Sequence, residues 1–242
     1  MALSTLDRKL LRDLWLIKGQ GVSIALVIAA GVAIYVLMLS TLDSLELTRS
    51  VYYDRYRFAD VFGAAKRAPL RTVEEIRQIP GVAVVEPRVV VDVTVDVAGF
   101  SEPIVGRVIS VPAEHRPALC DLFVKQGHYL DPERPDEVLV SANFADAHGL
   151  TPGDRLAAII NGRRKQLTIA GLALSPEYVY NIRPGELMPD DKRFGILWME
   201  QRALATAYRM EGAFNNVLLK LTRDAVEPAV IEHLDLLLEP YG

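Results

Sequence analysis

The chain has 242 residues, a net charge of -4 and a hydrophobic fraction of 50%. No basic stripe interleaved with aromatic side chains runs through it, which argues against nucleic acid as a partner. A single cysteine, Cys120, leaves no internal disulfide and no cysteine metal cluster.

The dominant feature is the uncharged run Val22 to Leu42, VSIALVIAAGVAIYVLMLSTL, whose only polar groups are Ser23, Ser40, Thr41 and the Tyr35 hydroxyl. As a helix its 21 residues reach about 30 Å, the thickness of a bilayer's hydrocarbon core. The run is too long for the apolar core of a cleavable signal peptide, and no small-x-small site follows it. It also lacks the polar stripe of a soluble helix, so it is read as an uncleaved membrane helix. The leader before it, residues 1–21, carries Arg8, Lys9, Arg12 and Lys18; the far flank mixes Arg49, Arg55 and Arg57 with Asp43, Glu46, Asp54 and Asp60. Lys and Arg are retained on the cytoplasmic side, which places the N-terminus inside and the large domain outside. Leu3, Leu6, Leu10, Leu11 and Leu14 recur at helical spacing near Trp15. Such a leader either lies along the inner surface or extends the spanning helix.

Residues 43–57 read as an amphipathic helical stalk, and the outer domain is expected over 58–242. Thr72 and Glu75 have the spacing of a capping box before a short helix that stops at Pro80-Gly81. Val82 to Val97 is dense in valine, and from Val89 apolar and polar residues alternate, the period of a strand with one wet face. Ile104 to Val111 is a second strand. Pro117, Pro132 and Pro135 mark a crossing to another unit. Glu137 to Val140 is a strand, Ser141 an N-cap, and Ala142 to His148 a short helix stopped by Gly149. Leu156 to Ile160 and Gln166 to Leu172 flank Asn161-Gly162, a hairpin signal. A long ordered loop over 175–194 precedes a strand from Phe194, a helix from about Glu200, a strand from Asn216 and a helix from about Ala225. The expected fold class is α+β, with one transmembrane helix followed by two lobes. One lobe is ferredoxin-like, and into it a small antiparallel β lobe is inserted at about 112–175.

Residues that carry chemistry form no catalytic, cofactor or metal constellation in the sequence. His115, His128, His148 and His233 are scattered singly, which makes zinc improbable, and Ser141 and Ser175 lack a G-x-S-x-G setting. Asp131 with Glu133 and Asp190 with Asp191 are loop carboxylates, better suited to turns than to calcium or acid-base work. No phosphate-binding loop occurs. Arg163-Arg164-Lys165 reads as the solvated edge of a hairpin, Cys120 as a buried thiol, and Tyr178 and Tyr180 as packing residues rather than a groove lining.

Two stretches resemble a known family. Lys9-Leu10-Leu11-Arg12-Asp13-Leu14-Trp15 leading through Gly19-Gln20-Gly21 into the spanning run is similar to the opening of ABC-transporter permease subunits of the MacB/FtsX type. Gly127-His128-Tyr129-Leu130, Glu137 to Ser141, Phe144-Ala145, His148-Gly149-Leu150, Gly153-Asp154, Ala170-Gly171 and Ser175 to Tyr180 resemble that family's MacB-like periplasmic core domain. The resemblance implies a bacterial inner-membrane subunit without catalysis of its own. It would couple a cytoplasmic ABC ATPase to an outer domain that handles lipid, lipoprotein, peptide or drug export, or transmits movement. A homo- or hetero-dimer with another permease subunit is implied, and Ala25, Ala29 and Ala33 offer a small-residue face to a partner helix. Such permeases have further membrane helices after the outer domain, and residues up to Gly242 hold none. The expectation is therefore a fragment or split gene; the alternative is a single-pass adaptor or binding module coupled to no ATPase.

Overall fold

The structure is a computed structural model that describes residues 9, 12, 13, 15, 18–183 and 185–242. Most of the leader, and with it the choice between a surface helix and an extended spanning helix, lies outside the described residues. The elements in chain order are α1 (Lys18–Arg55), β1 (Val61–Pro69), α2 (Thr72–Arg77), β2 (Val82–Arg88), β3 (Val90–Asp96), β4 (Ile104–Val111), β5 (Phe123–Gly127) and β6 (Glu137–Ser141). There follow α3 (Ala142–His148), β7 (Arg155–Ile160), β8 (Arg163–Leu174), β9 (Phe194–Glu200), α4 (Gln201–Tyr208), β10 (Ala213–Leu221) and α5 (Glu227–Leu238), with one 3-10 turn at Glu239–Tyr241.

Helix α1 has 38 residues, about 57 Å of rise, so it continues well beyond what a bilayer core needs. None of its residues is buried. Its polar side chains turn back on the helix: Ser23 Oγ donates to the Gly19 carbonyl at 2.9 Å and Thr41 Oγ1 to the Leu37 carbonyl at 2.8 Å. A hydroxyl satisfied in this way can sit in hydrocarbon without water. The expected stalk is helical as far as Arg55, with Leu45, Leu47 and Val51 exposed.

Tyr53–Gly242 is a compact unit of its own, separate from the helix before it. It contains two sheets. A three-stranded antiparallel sheet, ordered β1-β10-β2, carries α2 and α5 on one face. Val61, Ile76, Val85, Phe214, Val217, Leu219, Val230 and Leu234 close the core between them. The order β-α-β followed by β-α is that of the expected ferredoxin-like lobe, with three strands.

The other sheet has seven strands, ordered β5-β8-β6-β9-β4-β3-β7, and β7 pairs again with the first half of β8, from Ile160↔Arg163 to Arg155↔Thr168. The pairing therefore closes into a ring, with β5 left as an edge strand against the second half of β8. Closure removes the edges that an open sheet must protect. Every residue of β6 and β9 is buried, because both faces are covered. Val93, Val108, Val138, Val140, Leu197 and Met199 meet Phe144 and Leu204 on one side, and Ile109, Leu139, Ile196 and Trp198 meet Leu122 and Leu130 on the other. Gly195 admits the Phe144 ring: a Cβ there would lie 2.7 Å from Phe144 Cδ2.

This topology corrects the expected boundaries. The inserted lobe is wider than 112–175, since β3, β4 and β9 belong to the closed sheet. The valine-rich run is two strands in two sheets, with Val89 as the link, rather than one strand. The inserted sheet is not wholly antiparallel, because β4 pairs parallel to β9 and β6 parallel to β8. No capping box forms: the N-cap of α2 is Arg71 without a side-chain bond, and the buried Thr72 hydroxyl has no partner. At Ser141 the N-cap position is right, yet its hydroxyl bonds across to Asn181 and Ile196 instead of capping α3. Gly149 does stop α3, in the left-handed conformation at φ 66°. Asn161 and Gly162 have φ of 46° and 73°, the double left-handed geometry of a two-residue hairpin turn.

Candidate functional site at the helix-to-domain junction

The last turn of α1 belongs to the compact unit Tyr53–Gly242, and its termination is specific. Arg57 takes a left-handed conformation at φ 51°, which lets the Phe58 N–H return to the Tyr53 carbonyl at 2.9 Å. The Tyr53 and Phe58 rings stack at 4.6 Å between centroids. From there the backbone is clipped to a distant segment. Cys120 N–H donates to the Arg57 carbonyl and Asp121 N–H to the Tyr56 carbonyl, each at 3.0 Å. Arg57 adds a bond from Nη2 to the Pro117 carbonyl at 2.7 Å and an ion pair with Asp121 at 3.5 Å. Bonds to a charged donor are stronger than neutral ones, so the junction is tied by both backbone and side chains.

Behind the clip lies a buried ion pair that joins the two sheets. Arg88, the last residue of β2, donates Nη1 and Nη2 to the two carboxylate oxygens of Glu177, each at 2.6 Å, and Nε to Asn216 Oδ1 on β10, also at 2.6 Å. Its side chain is 8% exposed and that of Glu177 13%. Burial opposes the guanidinium charge, but the Glu177 contact outweighs it and holds Arg88 above its ordinary pKa. Glu177 sits in the long loop after β8, so the fork fastens that loop to the three-stranded sheet. A cavity of about 10 Å³ beside it is walled by Arg88, Ser110, Cys120, Ser175, Glu177 and Trp198, at the lower limit for a single water. Burial pushes the Cys120 thiol up to about 11 and raises the Glu86 carboxyl, which accepts the Ala118 N–H at 3.0 Å. The nearby Arg88 pulls the thiol pKa down but burial outweighs it, so Cys120 is a neutral thiol rather than an activated nucleophile.

The structure does not gather the chemistry-bearing residues of the sequence into one site. Each histidine is occupied by a backbone carbonyl: His115 by Arg116, His128 by Tyr129, His148 by Lys192 and His233 by Ala229. Among the described residues no group of three His, Cys, Asp or Glu could hold a metal ion. Asp190 accepts the Lys192 and Arg193 N–H groups, Asp191 accepts from Asn181, and Asp131 accepts the Glu133 N–H. These are turn and loop supports. Tyr178 packs with Phe194 and Ile109 and burial raises its hydroxyl pKa, whereas Tyr180 is 70% exposed. Sequence reasoning missed Arg88. The available signal was a lone guanidinium in a valine-rich run, which demands a buried acceptor; the acceptor stands 89 positions away.

The described residues hold one helix long and apolar enough to cross a membrane, Lys18–Arg55, and a compact β-rich unit, Tyr53–Gly242. Residues 22–236 match the MacB-like periplasmic core domain, and the chain belongs to that family. No curated protein matches. Among solved structures it is similar to the extracellular domain of the noncanonic ABC-type transporter YknZ from Gram-positive bacteria, at 13% identity and TM-score 0.43, covering 70% of this chain and 83% of that one. It is also similar to the periplasmic region of MacB from Actinobacillus actinomycetemcomitans, at 12% identity and TM-score 0.44, covering 75% of each chain. A domain of a permease protein from Porphyromonas gingivalis aligns at 11% identity and TM-score 0.41, covering 74% of this chain and 71% of that one.

Proposed function

We propose that this chain is the anchor and outer domain of a MacB/FtsX-type ABC permease subunit, non-catalytic itself and coupled to a separate cytoplasmic ATPase. The observation that carries the reading is the family match across both the spanning run and the outer unit. The junction adds physical support. The Cys120 and Asp121 N–H groups bond the Arg57 and Tyr56 carbonyls, so the first residues of the compact unit are tied to its body rather than left as a flexible linker. In this reading the basic leader is cytoplasmic and the outer unit extracytoplasmic. The outer unit handles lipid, lipoprotein, peptide or drug cargo, or passes movement to a partner. A second permease helix packs on Ala25, Ala29 and Ala33, which with Val32 and Ser40 line a shallow depression on α1.

The test is co-purification of the tagged chain from cells expressing its neighbouring genes. An ABC ATPase should come down with it in a ratio that survives mild detergent. If none does, the chain is a single-pass adaptor or binding module instead. A reporter active only outside the cytoplasm, fused after Gly242, should be active. Activity of a cytoplasm-dependent reporter at that position would reverse the orientation.

A further inference from the structure

A wide cleft opens on the side of the closed sheet, between the β7–β8 hairpin, α4 and the loops at 112–115 and 132–136. Its volume is about 1140 Å³, slightly above the range of pockets that hold small molecules, roughly 300–1000 Å³. Its walls are fixed to one another. Asn161 Nδ2 donates to the Ala207 carbonyl at 2.9 Å and its N–H to the Tyr208 hydroxyl at 3.1 Å, which fastens the hairpin to α4. Across the cleft Arg202 Nη2 donates to Glu114 Oε1 at 2.6 Å. Pro112, Pro132 and Pro135 stiffen the remaining wall.

The charges inside do not cancel. Arg202 is paired with Glu114, and Glu200 turns both oxygens into the first turn of α4, accepting the Arg202 and Ala203 N–H groups at 2.8 and 2.6 Å. Lining the same cleft are Arg163, Lys165 and Arg209, whose side chains have neither a hydrogen bond nor an ion pair among the described residues. Arg163 and Lys165 are two apart on β8, opposite Ile160 and Ala158, and so point to one face. Arg209 holds a left-handed φ of 56° at the end of α4, a conformation that an arginine seldom adopts. Asp136 also lines the cleft and is attracted to Arg134. Four cations, Arg163, Lys165, Arg202 and Arg209, against three carboxylates, Glu114, Asp136 and Glu200, leave an excess of one positive charge in a chain whose net charge is -4.

We propose that this cleft binds a phosphate monoester. Such a group carries about -1.5 to -2 charges at neutral pH, and its oxygens suit the forks of Arg163 and Arg209, with Lys165 as a point charge. The cleft is too large for the phosphate alone, and Ile160, Ala203 and Ala207 offer apolar floor to whatever the phosphate is attached to. A lipid headgroup and a soluble sugar phosphate present the same chemistry.

Both sources are tested with the full chain in phosphatidylcholine nanodiscs by calorimetric titration. The probes are dihexanoyl phosphatidic acid for the lipid and glucose 6-phosphate for the soluble ester, with succinate as a dicarboxylate. Saturable binding of either ester is expected, weakening as NaCl rises from roughly 50 to roughly 300 mM. The probe that binds names the source. Arg163→Gln/Lys165→Gln/Arg209→Gln should weaken it about tenfold or more, while Arg67→Gln/Arg71→Gln/Arg223→Gln, which removes the same charge from exposed positions on the three-stranded lobe, should leave it unchanged. If the triple variant misfolds, Arg163→Lys alone should still cost several-fold, because it keeps the charge and loses the fork. The proposal is overturned if neither ester binds, if succinate binds as tightly, or if both triple variants weaken binding equally.

Discussion

Helix α1 and the compact unit Tyr53–Gly242 are both rich in apolar side chains and opposite in where they put them. On α1, Ile24, Leu26, Val27, Ile28, Ile34, Leu37 and Met38 are all more than 60% exposed. In the outer unit, Val108, Val138, Leu139, Val140, Ile196 and Leu197 are fully buried. The same residue types can be stable in both places only if the solvents differ, hydrocarbon around the helix and water around the domain. The difference separates two kinds of mutational sensitivity. Damage to the domain reads as lost folding stability, and damage to the helix as lost membrane partition.

The largest effect should come from the buried fork. Arg88→Ala leaves Glu177 charged, enclosed and without its partner, a change that costs roughly 3–5 kcal/mol, so urea unfolding of the outer unit should shift strongly. Replacing the pair together, Arg88→Met with Glu177→Leu, should recover most of that loss, because the penalty lies in the orphaned charge. If the double variant is no better than the single, the fork does more than neutralise itself, and the Asn216 bond would be the next suspect. Membrane extraction should be unaltered in both.

Val32→Arg places a cation near the middle of the spanning run, at a cost of roughly 2.5–3.5 kcal/mol for insertion, about a hundredfold in partition. Carbonate extraction should release most of the chain, while the melting temperature of the released domain stays unchanged. A domain melting temperature that falls along with the partition would break the separation between the two regions.

Local chemistry was legible in the sequence, and long-range pairing was not. Asn161-Gly162 identifies its hairpin because a two-residue turn with two left-handed φ angles needs those side chains. Gly149 ends α3 for the same reason. The spanning run is legible because length and polarity alone decide it. By contrast β1, with the sequence VFGAAKRAP, has few strand-forming residues and an irregular register between Ala64 and Ala68, so no period of two shows. Edge strand β5 is largely exposed and leaves no hydrophobic alternation. The switch between sheets at Val89 rests on pairing β2 with β10, residues such as Arg88 and Asn216 that lie 128 positions apart. Nothing within the window of a strand records that. The clip was not legible: it is made by backbone groups of Cys120 and Asp121, which any sequence carries.

The clip is a seam inside the compact unit, between its first residues and the segment at 117–121, and Cys120 reports on it. Its thiol is 5% exposed and pushed up to about 11, so almost none is thiolate at pH 8, and maleimide should label the native chain only through opening of the seam. Arg57→Ala removes the bond to Pro117 and the Asp121 ion pair, and should speed labelling a few-fold with little change in global stability. Equal rates in the two chains would mean that the backbone bonds alone set the opening, and that the Arg57 side chain is dispensable to the junction.

The smallest effect is expected at Glu86, on the same seam. Burial is the main reason its carboxyl is raised above the ordinary 4.5, offset in part by the Ala118 N–H and by His115, Arg88 and Arg57. The sign follows directly. Below the unfolded value the carboxyl is neutral in both states and contributes fully; as pH rises through the higher folded value, ionising it inside the domain subtracts stability. Glu86→Gln keeps an oxygen for the Ala118 N–H and cannot ionise. The melting temperature should therefore rise at pH 7, by at most about 2 °C for a domain of this size, and stay level at pH 4. A fall at pH 7 would show that the attraction of Glu86 for Arg57, Arg88 and His115 outweighs the burial, and that the seam is held by charge more than by packing.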